Sequence, residues 1–250
     1  MDTLSYTFLI LLFFVTSMIG VVTGSNSLIT VPVMFQFGID PKVAVATNMF
    51  GLTFMSIGAS IPFLQRKLID SSKASPLIAI TVVASSIGAI LVLLLKPQNI
   101  KLIVSIAMIS VSLFMLLRKS DTSNTAASSR SEFGLLTLII TFVLGVYGGL
   151  YSGGYVTMLT AAYVTVSKMN FSEAVALTKL INVFSSLIAT VIFMWEGLVD
   201  YRLGLSLAIT MFIAAYIGAF VVTKLSESLL RRIFVVAVLL LAIKTLFDLI

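Results

Sequence analysis

Lys179, Asn182 and Ser186 stand at i, i+3 and i+7 in an apolar run, which puts an ammonium, an amide and a hydroxyl on one face of a helix. A fixed cation among neutral hydrogen-bonding groups is chemistry for holding an anion. A lysine inside an apolar span is costly unless it faces a pathway or a partner; the opposing expectation is that Lys179, about six residues inside its span, snorkels to the interface. Two polar breaks offer a second kind of anion chemistry. Gly24-Ser25-Asn26-Ser27 supplies cap-type side chains ahead of a new helical turn, and Ser152-Gly153-Gly154 would let a small oxyanion approach bare amides. Gly24 and Gly154 could instead serve close helix packing, but packing alone leaves the polar triplet of the first break unexplained.

Other polar groups are weaker candidates. Asn48 shares a helix with Thr47 and Ser56 and lies roughly on the face of Ser56; its amide needs either a substrate or a neighbouring helix as partner, whereas Thr and Ser commonly bond back to their own helix. Tyr147, Tyr151 and Tyr155 recur every four residues beside the second break, so Tyr151 and Tyr155 are candidates for a gate, with packing as the competing role. Asp70 and Asp200 end equivalent spans and read as helix caps rather than proton carriers. The chain has no Cys and no His, which excludes thiol relays, disulfides, Cys or His metal sites, Ser-His hydrolysis and haem ligation by these residues. No catalytic residue, metal ligand or cofactor is expected, and an enzyme is disfavoured.

The elements that must position these groups are membrane spans. Of the 250 residues, 59% are hydrophobic and only 10% charged, with a mean hydropathy of +1.15, whereas a soluble domain needs about a quarter of its residues charged. The net charge of +6 is divided among short loops and forms no stripe, so nucleic acid is not an expected partner. The first apolar stretch lacks a basic leader and a cleavage site and is read as mature protein. A run from Leu4 to Gly24 is followed by a shorter piece from Leu28 to Phe37, then by spans near Val43 to Leu64, Pro76 to Leu95 and Ile100 to Leu117. After a polar stretch the plan repeats: Phe133 to Leu150, a break, Tyr155 to Val166, then Ser172 to Trp195, Leu203 to Val222 and Leu229 to Leu249.

Sliding one half on the other without a gap aligns Gly24 with Gly154, Ala44-Val45-Ala46 with Ala174-Val175-Ala176, Asp70 with Asp200, and Ile87-Gly88-Ala89 with Ile217-Gly218-Ala219. The expected organisation is therefore a first membrane repeat at 1–117, a linker at 118–132 and a second membrane repeat at 133–250. Whether the repeats are parallel or inverted depends on whether each broken pair crosses or turns back. If it turns back, Arg66, Lys67, Lys73, Arg118, Lys119, Arg130, Lys168, Lys224, Arg231 and Arg232 share one side and Lys42, Lys96, Lys101 and Arg202 the other, a bias that satisfies the positive-inside rule. A single crossing divides the same charges evenly. The stretch from Ser5 to Phe37 is also too long for one untilted crossing. The expected fold is thus an all-α polytopic membrane protein of two inverted repeats, each a broken or re-entrant helical hairpin plus three transmembrane helices. Both termini lie outside and the linker in the cytoplasm; a tilted, broken single crossing is the alternative.

Gly20-Val21-Val22-Thr23-Gly24, then Val31-Pro32, Gly38, Pro41 and Ala44-Val45-Ala46-Thr47-Asn48, resemble the start of the TauE/SafE sulfite-exporter (TSUP) family. The second half looks alike in Gly148-Gly149-Leu150-Tyr151-Ser152-Gly153-Gly154, Ala174-Val175-Ala176, Gly197-Leu198-Val199-Asp200-Tyr201 and the helix of Ile217-Gly218-Ala219 before Leu229-Leu230-Arg231-Arg232. The similarity spans nearly the whole chain and rests on order and spacing. Where the family usually carries a glycine cluster at the first break, this chain has Ser25-Asn26-Ser27. The resemblance implies movement of small sulfur-containing or organic anions such as sulfite, sulfoacetate and related sulfonates, often outward.

These readings combine into one expectation: a multi-pass cell-membrane transporter for a small anion, exposing a midplane site alternately between two repeats. The expected binding residues are Gly24, Ser25, Asn26, Ser27, Asn48, Ser152, Gly153, Gly154, Lys179, Asn182 and Ser186. The expected partners are a small anionic substrate and the lipid bilayer, with a homo-oligomer left open. No carboxylate lies near the centre of a span, so coupling would fall to substrate-borne protons or to a cation held by carbonyls and hydroxyls. A passive anion channel or a non-transporting assembly subunit is the alternative.

Overall fold

The computed structural model describes residues 3–24, 26–65, 71–117, 134–221, 236, 238–245 and 247. Ser25, Asp70, the linker 118–132 and the segment 222–235 lie outside the described residues. Within them every regular element is a helix: α1 (Thr3–Thr23), α2 (Ser27–Gln36), α3 (Pro41–Gln65), α4 (Ser71–Leu94), α5 (Pro97–Leu117), α6 (Leu135–Leu150), α7 (Tyr155–Thr165), α8 (Phe171–Trp195) and α9 (Tyr201–Val221). Six stretches are long and apolar enough to cross a membrane: Thr3–Val21, Pro41–Gln65, Ala74–Leu94, Pro97–Leu117, Phe171–Trp195 and Tyr201–Phe220. The last described stretch, 238–245, is helical and adds Val238 and Ala242 to the core.

Local chemistry sets the helix starts. Asp40 accepts from the amides of Lys42 and Val43, with Pro41 in the first helical position, where its missing N–H costs nothing. At the matching place in the second half, Asn170 accepts from the Glu173 amide at 2.8 Å and starts α8. Asp200 accepts from the Leu203 amide at 3.1 Å and caps α9, the role its position suggested.

Both broken pairs turn back on themselves. In α6 and α7 the contacts nest as in any antiparallel hairpin: Thr137 meets Ser167 at 2.9 Å, Thr141 meets Tyr163 at 3.0 Å, and the Tyr147 hydroxyl donates to the Gly153 carbonyl near the tip. In α1 and α2, Phe8 lies 6.0 Å from Phe37 between ring centroids, and the Asn26 amide reaches Ser17. The turns need left-handed backbone, supplied by Gly24 at φ +72° and Gly154 at φ +81°.

The open end of each hairpin has its own neighbours. One end gathers Tyr6 with Ser206, Phe8 with Phe37, Lys42 with the Leu93 carbonyl, and Thr47 with the Asp200 amide. The other gathers Ala74 and Leu77 with Met169 and Ala174, beside Leu138.

Packing swaps elements between the halves. Gly88 of α4 sits so close to α6 that a Cβ there would strike the Val146 carbonyl, and Gly149 of α6 abuts the Ser85 carbonyl in return. Gly218, the counterpart of Gly88, brings α9 against α1, where a Cβ would stand 2.7 Å from the Met18 carbonyl. Small residues let backbones approach where apolar burial cannot drive association, since lipid is as apolar as leucine. Two groups result: α1, α3 and α9 on one side, and α4, α6 and α8 on the other. Their central seam is α3 against α8, bridged by Ser56 with Asn182 at 2.6 Å and Thr53 with Thr190 at 3.2 Å.

Candidate functional site

The hairpin tips meet inside the bundle. A Cβ on Gly24 would stand 3.0 Å from the Thr157 amide nitrogen, and the Thr157 hydroxyl donates to the Thr23 carbonyl. The Tyr151 hydroxyl donates to the Ser27 carbonyl at 2.9 Å, joining the second tip to the start of α2. Between the tips and the α3–α8 seam lies a small pocket whose polar lining comes from Asn26, Ser27, Ser56, Ser152, Lys179 and Asn182. Gly20, Gly24, Met55 and Val156 are among its other walls. The pocket volume is about 10 Å³, room for about one water molecule.

Lys179 points into this pocket rather than toward the interface. It is 4% exposed, and its Nζ donates to the Gly20 carbonyl at 3.1 Å. That carbonyl belongs to the last turn of α1, where the helix dipole is negative, so the ammonium finds a partial counter-charge without a carboxylate. The side chain is thus held inside the bundle by the α1 tip, not extended away from it as snorkelling requires. Asn182, one turn further along α8, donates to Ser56. Its Oδ1 is buried without a partner, as is the Oδ1 of Asn26, whose Nδ2 reaches Ser17 at 3.4 Å and the Met55 sulfur at 3.5 Å. Unpaired buried oxygens are expensive, and both belong to residues that line one cavity.

The pocket thus brings together Gly24, Asn26, Ser27, Ser152, Lys179 and Asn182 of the expected set. Others serve the frame around it. Asn48 donates to the Ser27 hydroxyl at 2.9 Å and accepts from Thr30 at 2.7 Å, so its amide clamps α2 to α3. Ser186 bonds back to the Asn182 carbonyl at 2.7 Å. Gly153 is covered by the Tyr151 ring, and Gly154 lies against Val111 of α5, so neither glycine lines the pocket. Tyr151 and Tyr155 are fully buried and also stand outside the lining; Tyr155 belongs to the core around Leu77, Leu159 and Ile181. Ser25 lies outside the described residues.

Some pocket residues were not in the expected set. Leu52, Met55, Ser56 and Ala59 occupy one face of α3 at i, i+3, i+4 and i+7. The helical spacing that singled out Lys179 and Asn182 would have found them, with Ser56 as its polar mark. Gly20 carried no chemical signal, because its contribution is a main-chain carbonyl.

With this geometry in view, comparisons with known proteins are consistent across the chain. The family model described as Sulfite exporter TauE/SafE matches residues 9–245. The chain is 29% identical over 241 residues to "Probable membrane transporter protein YfcA" of Escherichia coli (strain K12), covering 95% of this chain and 89% of that protein. It is 25% identical to "Probable membrane transporter protein ORF9" of Sinorhizobium sp, over 96% of this chain and 92% of that one. A "Probable membrane transporter protein" of Haemophilus influenzae (strain ATCC 51907 / DSM 11121 / KW20 / Rd) is 24% identical, over 94% and 92%. No solved structure gives a significant match. The polytopic helical fold and a family match over nearly the full length agree: the chain belongs to the TauE/SafE sulfite exporter family of membrane transporters.

Proposed function

We propose that this multi-pass membrane protein carries a small anion, of the sulfite or organosulfonate type, through the pocket between its hairpin tips by alternating access. The observation that carries the reading is Lys179: a buried ammonium whose hydrogen bond goes to a backbone carbonyl that a guest anion can replace. Ser27 and Ser152 line the same pocket with neutral hydroxyls. The sulfur substrate class is what the family and its name support.

The arrangement supports alternating access. The two sequence repeats act as inverted repeats, with termini outside and the central linker cytoplasmic, and the pocket lies at their junction. The moving bodies are the swapped groups, α1–α3–α9 and α4–α6–α8: Gly58 and Gly218 meet main-chain carbonyls within the first, Gly88 and Gly149 do so within the second, and the Ser85–Ser185 contact joins α8 to α4. Rocking at the α3–α8 seam would open the pocket first to one end and then to the other. A pocket with room for about one water molecule is narrower than an open anion pore, which supports alternating exposure over a continuous channel.

The test is flux in proteoliposomes loaded with sulfite or methanesulfonate. The proposal expects saturable movement that Lys179→Met abolishes. It fails if neither anion moves, or if the variant carries them as the parent does.

A further inference from the structure

We propose that the pocket accepts monovalent anions and turns dianions away, an inference that rests on the anion-transport reading above. It comes from counting charge where water is scarce. Lys179 is the one charged side chain among the described residues lining the pocket; Asn26, Ser27, Ser56, Ser152 and Asn182 are neutral. An ammonium and a monovalent anion leave the buried site neutral. A dianion leaves one uncompensated negative charge in a low-dielectric interior, where neither side chain nor solvent can balance it.

Helix dipoles do not supply the missing charge. Each tip joins the C-terminal end of one helix to the N-terminal end of the next, α1 to α2 and α6 to α7. The partial negative charge of the first offsets the partial positive charge of the second, so the two tips contribute little net charge. The Gly20 carbonyl beside Lys179 belongs to a negative end.

The hydrogen-bonding groups point the same way. The Oδ1 atoms of Asn26 and Asn182 are buried and unpaired acceptors that repel an added negative oxygen and welcome a guest's proton. Turning either amide over exchanges an oxygen for an N–H, which changes a dipole and adds no charge. Between the ionic forms of sulfite, hydrogensulfite therefore fits: one negative charge for Lys179 and one proton to donate. Monovalent sulfonates meet the charge requirement too.

The experiment compares methanesulfonate with sulfate, which share a tetrahedral sulfur and differ by a methyl group in place of one charged oxygen. Binding to the purified full chain is followed by ligand-induced thermal shift and by competition against sulfite flux, at a single pH. Methanesulfonate is expected to bind at least about tenfold more tightly, a step of about 1.4 kcal/mol. Sulfate binding as well or better overturns the monovalent rule and leaves anion transport standing. If methanesulfonate, sulfate and sulfite all fail to bind, the anion reading falls and this inference with it. Asn182→Lys, which adds a second ammonium, is expected to shift preference toward sulfate; an unchanged preference in a folded variant overturns the charge-count argument.

Discussion

The Lys179 ammonium of α8 donates to the Gly20 carbonyl of α1 at 3.1 Å, and the same carbonyl accepts the Gly24 amide at 2.8 Å. One oxygen thus ties the second half's cation to the turn that ends the first half's opening helix. A guest anion competing for the ammonium would loosen a contact between the swapped groups, which links binding to the movement proposed between them.

Lys179→Met should separate function from stability. Replacing a buried ammonium that lacks a carboxylate partner removes a desolvation cost, so the variant should melt in detergent at the parent temperature or above it. Anion flux should fall by at least about tenfold. Melting curves and proteoliposome flux on the same preparation check this, and a fall in both would make the lysine a structural residue.

Asn48→Ala should do the reverse. The substitution strips Ser27 and Thr30 of their shared partner at a buried site, a loss of about 1–3 kcal/mol. The first tip would then be held less firmly, so the expected signature is a lower melting temperature and a raised KM, with Lys179 chemistry intact. Asn48→Gln tests whether an amide displaced by one methylene restores the clamp.

Gly154→Ala and Gly38→Ala form a controlled pair. Both residues have positive φ, +81° and +75°, so each alanine carries the strain of left-handed backbone, about 1 kcal/mol. At Gly38 the new methyl meets nothing within 4 Å, whereas at Gly154 it strikes Val111 of α5. Gly154→Ala should therefore lose an additional ~1–3 kcal/mol of stability, as overpacked cores do. Thermal unfolding of the two variants side by side reads the difference.

The absence of native cysteine makes cross-linking clean. Ser85 of α4 and Ser185 of α8 approach to 2.7 Å between hydroxyl oxygens, joining the two sequence halves within one proposed moving group. A disulfide between Ser85→Cys and Ser185→Cys should leave sulfite flux near the reduced value. If oxidation stops transport, the sequence halves themselves move against each other, and the swapped-group mechanism is wrong.

Much of the architecture is written in one dimension. Apolar runs of spanning length, the polar interruptions at residues 24–27 and 151–154, and the repeated Ile-Gly-Ala of α4 and α9 all follow from composition and spacing. The sense of the hairpins was legible too: the basic residues favoured pairs that turn back, and the nested contacts from Thr137–Ser167 to Tyr147–Gly153 have that form. These features are readable because the bilayer imposes length and charge rules on each segment separately.

Only the folded molecule decided where each polar side chain was used. In a membrane helix, lipid-facing and core-facing residues are equally apolar, so the pattern does not fix which way a face points. Asn48 and Asn182 look alike in sequence, yet one clamps α2 while the other lines the pocket beside Lys179. Gly20 and Gly154 reverse the expectation placed on glycines: the first presents a carbonyl to the site, and the second packs on α5. Partner and azimuth come from contacts between separate segments, 21 residues apart for Asn48 with Ser27 and 159 for Lys179 with Gly20, and these exist only once the helices have met.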